Sequence, residues 1–305
     1  MNFYYSAYGL LFESAIELPE LVPQEQSKNT SHKPDVSISF GEVPENLQDP
    51  LSSGVMFEAN EHQFILKIGE VARYSITNGS SIVIQADDKA DANDVRVFML
   101  GSAFGVLLHQ RQLLVLHAGA IRTPQGAVLF AGPSGVGKST LLGELLNRGY
   151  EMLVDDVCAV TVNDENEVVV IPGYPRTRLW ADSARALNVD TSNLQRTRPQ
   201  LEKYERQVPS QFCSEPTPLK GIYILSQGNT DIVNLTPLPV LEKFGAVMQN
   251  TYRHVFLDGL KLRNEHFAMA TKVSSGIQIT EVERPSIGFR LTELANAVEE
   301  DFLTA

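Results

Sequence analysis

The 305-residue chain predicts an α/β protein with α+β elements, made of a strand-rich N-terminal module (residues 1–110) and a larger C-terminal domain (111–305). Three observations carry this. Short β-branched and aromatic runs, punctuated by Gly, Asn and Ser, fill the first hundred residues. A helical apolar stripe over roughly 92–110 then marks a junction. Beyond it, strand-like and helix-like segments alternate around the stretch GPSGVGKST at 132–140.

In the first module, FILKI (64–68), VARYSI (71–76) and SSIVIQA (80–86) read as strands of small antiparallel sheets. Residues 19–36, with three prolines and a Gln/Ser/Lys/Asn-rich middle, read as an exposed loop. Val95, Phe98, Met99, Leu107 and Leu108 recur at helical spacing and define an amphipathic junction helix. In the second domain LLVLHAGAI is a strand, and GAVLFAG is a strand running into the glycine loop. Lys138 to Arg148 is a helix ended by Gly149. YEMLV is the next strand and stops at a double aspartate, while CAVTV and EVVVI flank the turn NDEN as a hairpin. GIYILS (221–226) is a buried-type strand; VLEKFGAVMQNTY (240–252) and the segment from Leu291 to Phe302 are helices.

A composition of 43% hydrophobic and 20% charged residues supports ordinary globular cores. No apolar run reaches the length of a membrane span, and the opening MNFYYSAYGLLFESA lacks a signal peptide's layout. Cys158 and Cys213 have no metal-ligand spacing and read as packing residues. Free thiols without an export signal predict the cytoplasm. The net charge of −12 argues against nucleic-acid and anionic-membrane partners, which need a positive surface. Residues 173–206 nevertheless reverse the sign, with Arg176, Arg178, Arg185, Arg196, Arg198, Lys203 and Arg206 against four acids. A bound polyphosphate is one reason for such a stretch; a solvated basic surface is the other.

GPSGVGKST fits the phosphate-cradling pattern G-x-x-x-x-G-K-[ST]. Its glycines let successive N–H groups curl toward phosphate oxygens, and the next helix adds its positive end. The nucleotide-binding set is Gly132, Ser134, Gly135, Val136, Gly137, Lys138, Ser139 and Thr140. Lys138 reaches the β- and γ-phosphates, and the Ser139 hydroxyl binds Mg²⁺. Asp155 and Asp156 end the following strand, and in a parallel sheet ligands gather at strand carboxyl ends. One carboxylate then serves the metal, and the other accepts a proton from an attacking hydroxyl. His117, on the strand before the loop strand, stays open between a satisfied core histidine and a catalytic one. A cationic clamp for the migrating group comes from Arg176, Arg178, Lys203 and Arg206, with Arg206 and Arg178 favoured and Arg253 an outsider. No LSGGQ-like signature, strand-ending D-E or N-K-x-D occurs, so the double aspartate favours transfer to an acceptor over hydrolysis.

His117-Ala118-Gly119, the loop Gly132 to Ser139, and the segment Arg148 to Asp156 together resemble the bacterial HPr kinase/phosphorylase family across about forty residues. The resemblance implies that family's kinase fold, related to phosphoenolpyruvate carboxykinase, and a requirement for ATP and Mg²⁺. It further implies Asp156 as the base toward a serine hydroxyl, Asp155 and Ser139 as metal-serving groups, and His117 near the reacting centre. The family's downstream L-E-x-R-G-[LI]-G segment is replaced here by PGYPRTRLW (172–180), so the reverse, dephosphorylating reaction is not expected. PGYPRTRLW, KYER (203–206), PLKGIYIL (218–225) and the opening YGLLFESAIELPEL look like the branch of kinases encoded with lasso-peptide pathways, which phosphorylate a precursor serine.

The resulting expectation is a kinase acting on a serine of a peptide or small protein. Its N-terminal module either presents the substrate or mediates oligomerisation. A nucleotide-binding regulatory protein without transfer and a small-molecule kinase are the alternatives.

Overall fold

The computed structural model describes residues 2–25, 33–198, 200–288 and 290–304. It is a mixed α/β structure that divides into two compact units, one of residues 1–115 with 252–268 and one of 116–251 with 269–305. The second boundary is one the sequence does not signal: Tyr252–Ala268 folds with the N-terminal residues.

The first unit is built on a nine-stranded sheet. In spatial order its strands are Val22–Pro23, Phe3–Ala7, Leu10–Ser14, Val36–Phe40, Ser81–Ala86, Ala72–Thr77, Gln63–Ile68, Phe57–Ala59 and Ser52–Gly54. The three expected strands are present, but the sheet is mixed rather than simply antiparallel. Val36–Phe40 lies parallel to both Leu10–Ser14 and Ser81–Ala86, joining an N-terminal group of strands to the following meander. The segment expected as an exposed loop is partly anchored: Glu20 and Leu21 are buried, and Glu20 pairs with Arg96 at 3.0 Å. Its middle, residues 26–32, lies outside the described residues.

The junction helix starts at Ala92, where the Asp91 side chain caps the Asn93 amide. It runs through a π turn, Met99–Ala103, into Phe104–Gln110. It is not amphipathic throughout, because every residue from 99 to 109 is buried. The apolar stripe therefore describes only its first turns. Phe104 stacks on Phe12 with ring centroids 5.1 Å apart. Phe256 from the returning segment sits edge-on to Phe57 and Phe64.

The second unit carries an eight-stranded sheet. The wholly buried strand Gly126–Ala131 pairs antiparallel with Leu114–Thr123 and parallel with Thr217–Gly228. Thr217–Gly228 is in turn parallel to Gln278–Pro285. Glu151–Val154 is antiparallel to Leu114–Thr123. The sheet is thus mixed and not parallel as the aspartate reasoning assumed, yet the outcome is the same. Leu114–Thr123 runs opposite to both partners, so Gly126–Ala131 and Glu151–Val154 finish at one edge. The hairpin Val157–Val162 with Val168–Ile171 follows as expected. Arg176–Trp180 and Lys203–Gln207 form a separate antiparallel ribbon.

Helix Lys138–Asn147 buries Leu141, Leu142, Leu145 and Leu146 in one cluster with Leu294, Val298 and Phe302 of helix Leu291–Thr304. Burying a leucine contributes about 2 kcal/mol by area, so this cluster holds the helix against the core. Both cysteines are buried and free. No helix among the described residues is long and apolar enough to cross a membrane.

His109 in the first unit is 1% exposed, and its Nε2–H donates to the Tyr252 carbonyl at 2.8 Å. Burial pushes its imidazole down to about 4; the carbonyl hydrogen bond opposes that shift and nearby His266 adds to it. The unfolded histidine titrates near 6.5, so between these values the unfolded chain binds the extra proton and acid favours unfolding. Urea melts followed by circular dichroism should lose up to about 3 kcal/mol from this group between pH 6.5 and 4. His109→Gln should flatten that part of the profile.

Candidate active site

Strand Gly126–Ala131 ends at Gly132, whose φ is 133°. A Cβ there would lie 2.4 Å from the Leu225 carbonyl oxygen, so only glycine fits this turn. The chain curls through Gly135 and reaches Gly137 (φ 111°), the N-cap of helix Lys138–Asn147. With glycine as the cap, no side chain covers the first amides of the helix. Those amides and the helix dipole together favour an anion. Lys138 is buried, its Nζ donating to the carbonyls of Gly132 (2.8 Å) and Pro133 (3.1 Å). Burial lowers its pKa, although Asp156 and Asp155 pull it back up. Val136 packs into the hydrophobic cluster, and its carbonyl accepts Arg284 Nε at 2.9 Å. The Thr140 and Ser183 hydroxyls lie 2.7 Å apart, which ties the loop helix to the short helix Ala181–Ala186.

The two aspartates face different partners. Asp155 is 8% exposed; its Oδ1 accepts the Ser139 hydroxyl at 3.0 Å and its Oδ2 the Arg178 amide at 3.0 Å. Burial and the neighbouring carboxylate raise its pKa. Asp156 has a φ of 84°, which turns the backbone between two strands and swings its side chain away from that of Asp155. His117 Nδ1 lies 3.0 Å from its Oδ1 and 3.3 Å from its backbone carbonyl oxygen, and Arg178 Nη1 lies 3.4 Å from Oδ2. Burial alone would raise this carboxyl. The His117 hydrogen bond and the charges of Arg178, His117 and Lys203 outweigh burial and hold it well below the usual carboxylate range. Its side chain keeps 28% exposure, so it stays ionised and reachable.

These groups line a cleft of about 410 Å³, a volume suited to a nucleotide-sized ligand. His117, Ser134, Gly135, Gly137, Lys138, Ser139, Thr140, Asp155, Asp156 and Arg178 all line it. Arg206 does not. On the ribbon Arg178 is paired with Glu205, while Arg206 is opposite Thr177 and so projects from the other face. Arg176 is buried against Glu205 (2.7 Å) and Tyr174 (3.1 Å). Arg253 belongs to the first unit, its guanidinium over the Tyr252 ring. The cleft adds Trp180, Lys203 and Arg284, none of which sequence reasoning favoured. Strand alternation could have separated Arg178 from Arg206 only once the register of the two strands was known. Arg284 left little signal, standing before Pro285 in a strand that also carries Glu281 and Glu283.

Among the described residues no cluster of three His, Cys, Asp or Glu side chains could hold a metal by itself. Ser139 and Asp155 instead offer one hydroxyl and one carboxylate. That all-oxygen set fits Mg²⁺, which completes its shell with phosphate and water.

The φ of Asp156 yields a test on folding. Asp156→Gly and Asp156→Ala both delete the carboxylate, but only alanine carries a Cβ into a left-handed conformation. Urea unfolding should find the glycine variant more stable by about 1 kcal/mol, whereas in an ordinary strand alanine would lead.

No protein-family model matches the chain, and no curated protein does. Among solved structures it is similar to the Hpr(Ser) kinase/phosphatase from Coxiella burnetii, at 12% identity. The match covers 62% of this chain and 91% of that one, with a TM-score of 0.34.

Proposed function

We propose that the chain is an ATP- and Mg²⁺-dependent kinase that transfers the γ-phosphoryl group to a serine hydroxyl of a peptide or small protein, such as a lasso-peptide precursor. The observation that carries this reading is the division of labour between the two aspartates. Asp155 is buried and committed to Ser139 of the loop. Asp156 is ionised, open to the cleft and held by His117.

In this reading the loop amides and Lys138 hold the triphosphate, with Lys138 leaving the Gly132 and Pro133 carbonyls to do so. Ser139 and Asp155 would hold Mg²⁺, which when bound neutralises charge on the phosphate oxygens. Asp156 accepts the serine proton as the serine oxygen bonds to the γ-phosphorus; the bond to the β–γ bridging oxygen breaks, and ADP leaves. His117 orients Asp156 through Nδ1. Arg178 is suited to the migrating group because its buried Nη2 has no hydrogen-bond partner among the described residues. Such an unsatisfied donor costs free energy until an anion reaches it. The setting is the cytoplasm, where ATP and Mg²⁺ are plentiful.

Asp156→Asn should retain ATP binding by calorimetry within a few-fold, because asparagine tolerates positive φ. It should lose transfer by about 100-fold or more, as expected for removal of a general base. Transfer at the wild-type rate would refute the assignment. Lys138→Ala should weaken binding as well as transfer.

A further inference from the structure

Resting on the phosphotransfer reading, we propose that Lys203, held over the indole of Trp180, is a further phosphate-binding cation that contacts the terminal phosphoryl group during transfer. Lys203 and Trp180 are register partners on the ribbon. They project from the face that carries Arg178, and both line the cleft. The ammonium stands 5.5 Å from the centre of the indole ring.

The other cations of the cleft all have protein partners, although Arg178 keeps its Nη2 without a hydrogen bond among the described residues. Lys138 donates to two loop carbonyls. Arg178 faces Asp156 and Glu205. Arg284 donates to the Val136 and Pro285 carbonyls. Among the described residues the Lys203 ammonium has neither a hydrogen bond nor a carboxylate at ion-pair distance; its contact is the indole face. A cation–π contact at an exposed site contributes only about 0.5–1 kcal/mol, so a phosphate oxygen competes with it easily. The charge of Lys203 also bears on Asp155, Asp156 and Lys138, which puts it within electrostatic reach of both aspartates and the loop lysine.

Trp180 is the chain's single tryptophan and is 43% exposed. Its emission therefore reports on this contact in the 305-residue chain. Titration with Mg-ATP or inorganic triphosphate should change the emission, because phosphate draws the ammonium off the ring, and adenosine should not. Lys203→Met should abolish the response while calorimetry still detects ATP binding. It should lower kcat about 100-fold, as for loss of one transition-state donor, with a smaller change in KM. Lys203→Arg keeps the charge and should recover part of kcat.

Wild-type kcat in Lys203→Met together with an unchanged emission response would overturn the proposal. So would an adenosine response as large as that to ATP, which assigns the indole to the nucleobase. Failure of the phosphotransfer reading is distinguishable: the wild-type chain would then show no transfer, while the triphosphate titration would still report on Lys203.

Discussion

Two carboxylates on adjacent residues cannot both stay ionised in a half-buried cleft unless cations and donors separate them. The architecture around the cleft answers that constraint. Asp155 turns inward and takes the Ser139 hydroxyl and the Arg178 amide. Asp156 turns outward at φ 84° toward His117 and the Arg178 guanidinium. Each partner comes from a different element: the loop helix, the ribbon and the strand Leu114–Thr123. Their convergence gives the two carboxylates distinct surroundings, on which the proposed division between a metal-holding Asp155 and a proton-accepting Asp156 rests.

The scaffold supplies this convergence through strand direction. Leu114–Thr123 runs antiparallel to both the loop strand and the aspartate strand. It brings His117 to the edge where Gly132 and Asp155 emerge. The leucine face of helix Lys138–Asn147 holds that helix against the core beside the edge. Arg284, at the end of the parallel strand Gln278–Pro285, steadies the loop from outside by donating to the Val136 carbonyl. Backbone strain at Asp156 is of the kind that persists only where surrounding contacts over-determine it.

Much of this was legible in the sequence, for local reasons. GPSGVGKST names its own turn, since Gly132 admits no side chain, and the flanking AVLF and TLLGELL announce a buried strand and a helix. Asp155 and Asp156 were recognisable because the strand stops at them. Distant pairings were not legible. Strand order in both sheets depends on hydrogen bonds between segments far apart in sequence. The return of Tyr252–Ala268 to the first unit follows from packing such as that of Phe256 on Phe57 and Phe64. Favouring Arg206, which does not line the cleft, over Lys203, which does, has the same origin: which face of the ribbon meets the cleft depends on the register of Arg178 with Glu205.

The fate of the γ-phosphate tests the central claim most directly. The 305-residue chain would be incubated with Mg²⁺, γ-labelled ATP and a library of serine-containing peptides, and label on peptide oxygens compared with label released as inorganic phosphate. The account predicts label on serine, in excess of free phosphate. Label appearing only as inorganic phosphate, or ATP left intact across the library, would contradict it.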